Sequence, residues 1–156
     1  GVTNGTGPGP CTGPTLVLVF RHVTPVLPEH LGTFAELDPT APGRGGHMNF
    51  DMILRRCGHA WSAMLAELGC FGAATIVPRI EVDYHNEVRE GELVVEVRVL
   101  SIGRSSFRVR CNVLQDDVLA ARAEVVLVAF DYASQQPGPL DGVQRAALER
   151  QALLVS

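Results

Sequence analysis

The sequence predicts an α+β fold in which an antiparallel five-stranded sheet wraps around one long central helix. Three observations carry this expectation. Residues 53–68 keep an apolar stripe at helical spacing for about four turns. Four strand-like segments follow, three of them with period-two alternation, joined by short connections, and one continuous apolar run of strand length precedes the helix. A single sheet buries such a helix only by curling around it. The sheet edge and apolar surface left over predict a homodimer, with a homotetramer as the alternative, joined through the sheet or the helix.

The first strand is expected over residues 15–23 (TLVLVFRHV), an unbroken apolar run consistent with burial on both faces, ended by Pro25 and Pro28. A long connection follows and closes on Pro42-Gly43-Arg44-Gly45-Gly46; such a loop inside a compact domain is usually functional or disordered. The helix has Asn49 as its N-cap, Asp51 in a first turn whose dipole favours a carboxylate, and Gly69 as its terminator. Its stripe is Ile53, Leu54, Cys57, Trp61, Met64, Leu65 and Leu68, with Arg55, Arg56, His59, Ser62 and Glu67 on the remaining surface. Gly58 and Ala60 are small enough to admit another backbone.

In the first strand after the helix, Ile80, Val82 and Tyr84 alternate with charged neighbours, and Pro78 marks an edge or bulge. Val95, Val97 and Val99 define the next strand, and Phe107, Val109, Cys111 and Val113 the one after. Asp116-Asp117 turns the chain into a last strand over 119–131. Short connections predict antiparallel pairing between consecutive strands. A Pro137-Gly138-Pro139 segment leads to a C-terminal helix over Gly142–Leu153. No internal repeat is present. Residues 1–14, rich in Gly, Pro and Thr, read as a disordered leader, and 15–156 as one domain.

Composition narrows the function. Hydrophobic residues make up 46% and charged residues 19%, ordinary values for a soluble protein. A net charge of −4 argues against a general nucleic-acid partner. All 13 basic residues are arginine, which reads as a base-composition effect rather than chemistry. No apolar run has the roughly 18 residues of a membrane span. Cys11, Cys57, Cys70 and Cys111 show no CxxC spacing, and Cys57 and Cys111 fall on faces expected to be buried, which fits a reducing cytoplasm. The five histidines have no metal-ligand spacing, so no metal is expected.

Gly46-His47-Met48-Asn49 at the helix start, Ile80-Glu81-Val82-Asp83-Tyr84, Gly91-Glu92-Leu93, Gly103-Arg104-Ser105-Ser106-Phe107 and the exit from Asp131 to Pro139 follow in this order. Together they resemble a hot-dog-fold thioesterase, in the branch similar to 4-hydroxybenzoyl-CoA thioesterases, over about residues 15–150. The resemblance implies hydrolysis of an acyl-CoA thioester, or less readily an acyl-carrier-protein thioester. Coenzyme A then enters as part of the substrate, with no separate cofactor. The first-turn amides of Phe50, Asp51 and Met52 lack intrahelical partners, so the helix N-terminus can stabilise an oxyanion, at roughly 3–4 kcal/mol per donor. By position, Phe50 matches the family's amide donor.

The family's acid is where the sequence departs. The position that usually carries Asp, three residues before the Gly of the Gly-His pair, is Gly43. The helix position that carries the carboxylate in the other large branch is Leu54. The remaining candidates are Asp38 in the connecting loop, Asp51 in the first turn, His47 as a base, or a water held by Asn49 and the amides. Arg104, Ser105, Ser106 and Arg108 resemble the part of the fold that approaches the nucleotide end of coenzyme A, a role suited to guanidinium forks and hydroxyls. His85 and Asn86 flank the pocket by the same resemblance, and Tyr84 reads as core packing. Two other functions remain open: a non-catalytic acyl-thioester binding protein that has lost the acid, and a hot-dog dehydratase, whose His–carboxylate signature is not found.

Overall fold

A computed structural model of the chain describes residues 19–32, 46–71 and 75–153. Strand β1 (Phe20–Val26) leads through a 3-10 turn (Pro28–His30) to helix α1 (Phe50–Leu68). Strands β2 (Thr75–Tyr84), β3 (Gly91–Ile102), β4 (Ser106–Gln115) and β5 (Val118–Asp131) follow, then a two-residue β6 (Gln136–Pro137) and helix α2 (Gly142–Leu153).

α1 begins and ends where local chemistry dictates. Asn49 is extended (φ −71°, ψ 154°) and its side chain accepts from the Phe50 amide; Gly69 closes the helix in the left-handed conformation at φ 75°. The helix buries Ile53, Cys57, Ala60, Met64 and Leu65 against β1, β3, β4 and β5. Leu54, Trp61 and Leu68 are only half-buried. The buried face also contains Arg56, at 8% exposure, which corrects its expected surface position. Its guanidinium donates to Thr24 Oγ1 at 2.6 Å and to the Pro25 carbonyl at 3.0 Å, and lies 3.2 Å from His30 Nδ1. These acceptors are 26 to 32 residues away in sequence, beyond the reach of helical periodicity. The space beside Gly58 is bounded by the Trp61 ring at 3.6 Å rather than by another backbone.

The sheet order is β1-β3-β4-β5-β2, antiparallel throughout, with β6 added to β5. Two expectations are corrected here. β1 ends at Val26, so it runs through Pro25. It is an edge strand with alternating burial, Val23 being 52% exposed, and not a strand covered on both faces. An edge tolerates proline because one side of the strand owes no ladder bond. Residues 15–18 lie outside the described residues.

β2 and β3 are consecutive but not paired. The tight turns claim both neighbours of β4 first: residues 103–105 join β3 to β4, and Asp116-Asp117, both at positive φ, form the two-residue turn to β5. β1 occupies the other side of β3, so β2 takes the free edge of β5. Residues 85–90 therefore cross the end of the sheet over three strand spacings, roughly 14 Å, within reach of six residues. Gln115 anchors the crossing, accepting from the Arg89 amide and donating to the Arg89 carbonyl.

The inner face of the sheet is apolar and sealed. Val95, Val97, Phe107, Val109, Cys111, Val113, Ala121, Ala123, Val125 and Leu127 are all at most 1% exposed. α2 closes the end of the core near the C-terminus of α1, burying Leu148 and donating from Gln144 to the Cys70 carbonyl.

The outer face is charged. Arg108 and Arg110 both pair with Glu124, at 2.9 and 2.7 Å. The Arg110 hydrogen bond outweighs partial burial and holds the Glu124 carboxyl below the usual carboxylate range. A folded pKa below the unfolded value adds stability above about pH 4.3, which is lost as pH falls through the folded value. Glu124→Gln should therefore lose less Tm than the native protein as pH falls below about 5 in thermal melts.

Candidate active site

The cleft that matters lies at the N-terminus of α1. About 380 Å³ in volume, it is lined by His47, Asn49, Phe50, Tyr84, His85 and Glu87, among others. Two backbone segments make it: Gly46 to Asn49 before the helix, and the start of the crossing that leaves β2. They are tied directly, because the Met48 amide donates to the Val88 carbonyl at 2.6 Å. A third strand of the knot comes from Leu31, bridged to Met48, and from Gly32, whose amide donates to the His47 carbonyl at 3.1 Å. Gly46 sits at φ 97°, where any other residue would be strained, and faces the Arg89 guanidinium. This is the conformational reason for glycine in the Gly46-His47 pair.

The first turn of α1 is partly occupied. The Phe50 amide donates to Asn49 Oδ1 at 3.0 Å, and the Met52 amide to Asp51 Oδ1 at 2.9 Å. The Asp51 amide has no acceptor among the described residues. Asp51 thus spends its carboxylate on its own helix turn. Asn49 occupies the donor expected to face an oxyanion, and reaching that donor requires its amide to swing away.

Tyr84 corrects an expectation of core packing. It is 44% exposed, lies edge-to-face on Phe50 with ring centres 6.5 Å apart, and donates its hydroxyl to the Phe50 carbonyl at 3.1 Å. Partial burial raises the phenol above its ordinary pKa. Phe50 is itself 54% exposed, so the two rings form an apolar lip. His85 and Asn86 stand beside it in the cleft lining, and both of their amides donate to the Ala120 carbonyl.

Glu87 is the residue that sequence reasoning missed. Its Oε1 lies 3.9 Å from His47 Nδ1, and its Oε2 accepts from Arg89 Nη2 at 2.7 Å. A carboxylate in a six-residue connection carries no periodic signal. Only the crossing of the sheet end, itself absent from the sequence reading, brings it to the helix start.

The structure brings His47, Asn49, Phe50 and Asp51 together. Asp38 and Gly43 lie outside the described residues. Arg104, Ser105 and Ser106 are not near the cleft within one chain: their turn is seven residues along β4 from the level of Tyr84, roughly 23 Å at strand rise. Their backbone anchors the C-terminal segment, Arg104 accepting from the Leu140 amide and Ser105 from the Ala129 amide. Arg108 points to Glu124 on the outer face. Among the described residues, no three His, Cys, Asp or Glu side chains cluster to hold a metal ion, and no helix is long and apolar enough to cross a membrane.

The family model described as the thioesterase-like superfamily matches residues 33–148. No curated protein matches the sequence. Among solved structures, a thioesterase from Thermus thermophilus complexed with coenzyme A and Zn is 28% identical, at a TM-score of 0.67 over 86% of this chain and 94% of that one. A predicted thioesterase from Bacillus stearothermophilus is 20% identical, at a TM-score of 0.71 over 85% and 96% of the two chains. A 1,4-dihydroxy-2-naphthoyl-CoA thioesterase from Synechocystis is 18% identical, at 0.65 over 83% and 95%. At these identities the last two speak to the fold, and the fold is the hot-dog arrangement expected from the sequence.

Proposed function

Because the chain belongs to the thioesterase-like superfamily, we propose that it hydrolyses an acyl-CoA thioester to the free acid and coenzyme A at the N-terminus of α1. The observation that carries this reading is the cleft itself, which the first residue of α1, its Asn49 cap and the His47 imidazole line together with an apolar lip. The thioester carbonyl lies against the Phe50 and Asp51 amides, where the helix dipole favours the negative charge of a tetrahedral intermediate. Asn49 releases the Phe50 amide as the oxyanion forms. The coenzyme A held by the similar Thermus protein supports a CoA ester over other thioesters.

The protein acts as a homodimer in this reading. β2 is a free edge with exposed Val77 and Ile80, a surface that a second copy would cover. Arg104, Ser105, Ser106 and Arg108 serve coenzyme A only if a second copy brings its turn beside the cleft, given their distance from it in one chain. A cytoplasmic setting suits the free thiols of Cys57, Cys70 and Cys111.

The test is thiol release from a panel of short, long and aromatic acyl-CoAs. Turnover of at least one class is expected. A second reading, a non-catalytic acyl-thioester binding protein, is favoured by Gly43 and Leu54 standing where the two branches carry their acids. Binding of acyl-CoA without any release would establish it and end the hydrolase reading.

A further inference from the structure

The geometry points to Glu87 as the positioning carboxylate for His47, which acts as general base in the hydrolysis proposed above and on which this inference rests. The pairing is built into the backbone. Met48 and Val88 are fully buried and joined by the 2.6 Å hydrogen bond, so the residue before each, His47 and Glu87, is held beside the other at the cleft wall. The His47 carbonyl is fixed from its far side by Gly32, and the Glu87 carboxylate by Arg89. Arg89 keeps one carboxylate oxygen occupied and leaves the other aimed at His47 Nδ1, 3.9 Å away. That distance is longer than a hydrogen bond, and catalytic contacts of this kind close when substrate excludes water.

A carboxylate facing Nδ1 selects the tautomer with its proton on Nδ1, which leaves the Nε2 lone pair for the cleft. Nε2 then takes a proton from water while the water oxygen bonds to the thioester carbon, and the carbonyl electrons move to the oxygen at the helix N-terminus. Collapse of this intermediate breaks the C–S bond and expels the thiolate. The imidazolium returns its proton to that sulfur, so the products are the carboxylic acid and the free thiol. Glu87 takes no proton; it orients the ring and offsets the charge that develops on it. Among the described residues that line the cleft, Glu87 is the one carboxylate.

The test is a double-mutant cycle on acyl-CoA hydrolysis with His47→Ala and Glu87→Gln. Glu87 is exposed and Gln is isosteric, so folding should be unaffected; near-native melting of each variant checks this. Glu87→Gln is expected to lower kcat by roughly 10- to 100-fold with KM changed less than about twofold. In the His47→Ala background it should cost nothing more, which a merely structural role for Glu87 would not produce. Native turnover with Glu87→Gln equal to wild type, or with losses that multiply across the two sites, overturns the assignment of Glu87 and leaves the hydrolase reading standing. Absence of turnover by the native protein on every acyl-CoA overturns both.

Discussion

Replacing Phe50 by proline is expected to lower acyl-CoA hydrolysis by about 100- to 1,000-fold while leaving the fold intact. Phe50 is the first residue of α1, the one helical position where proline is readily accepted, because its missing N–H has no intrahelical acceptor. The preceding Asn49 already holds the extended backbone that proline imposes on its neighbour. The substitution therefore removes two things only, the amide proton and the ring that lies on Tyr84. Phe50→Ala removes the ring alone and serves as the control. A large difference in kcat between the two variants, with matching circular dichroism, would assign the amide to the oxyanion. Equal kcat values would show that this amide does no more than meet Asn49 Oδ1, and would move the oxyanion to the Asp51 amide.

Arg56→Ala is expected to destabilise the protein by about 2–4 kcal/mol, which lowers Tm by roughly 6–12 °C for a chain of this size. The side chain is buried, no carboxylate is among its hydrogen-bond partners, and burial lowers its pKa from the ordinary guanidinium value. Its stability contribution thus comes from hydrogen bonds that a charged donor makes in a dry site, set against the cost of burying it without a counter-ion. Arg56→Met separates the two effects, keeping the aliphatic stem and deleting the donors. If Arg56→Met melts with the native protein, the hydrogen bonds to Thr24, Pro25 and His30 only offset the desolvation they require. A loss close to that of Arg56→Ala assigns the effect to those bonds. Either variant also loosens His30, one residue from the Leu31–Met48 bridge that fixes His47, so a fall in kcat should accompany a loss of stability.

The features legible in the amino-acid order are those that local interactions decide. Asn49 and Gly69 bound the helix because a cap is made by residues adjacent to it, and the stripe from Ile53 to Leu65 faces the core because helical period places it on one side. The alternation in β3 and β4 assigned their inner faces correctly, since a strand in a one-sided sheet has only two faces. The Gly46-His47 pair and the Phe50 amide could be located because both belong to the same short stretch of chain. Arg56 could not. It lies on the buried face by spacing, three positions after Ile53 and four before Ala60, but its charge read as surface until the acceptors on β1 and the 3-10 turn were in place.

The tertiary structure decided everything that depends on which distant segments meet. β2 pairs with β5 because the tight turns had already used the sides of β4, and this competition is settled by the whole sheet rather than by any one connection. The crossing that results carries Glu87 from the end of β2 to the start of α1. The candidate catalytic pair is therefore a consequence of strand order. Residues 40 positions apart have no local interaction through which a sequence could announce their contact; only burying Met48 and Val88 in the same core makes them neighbours.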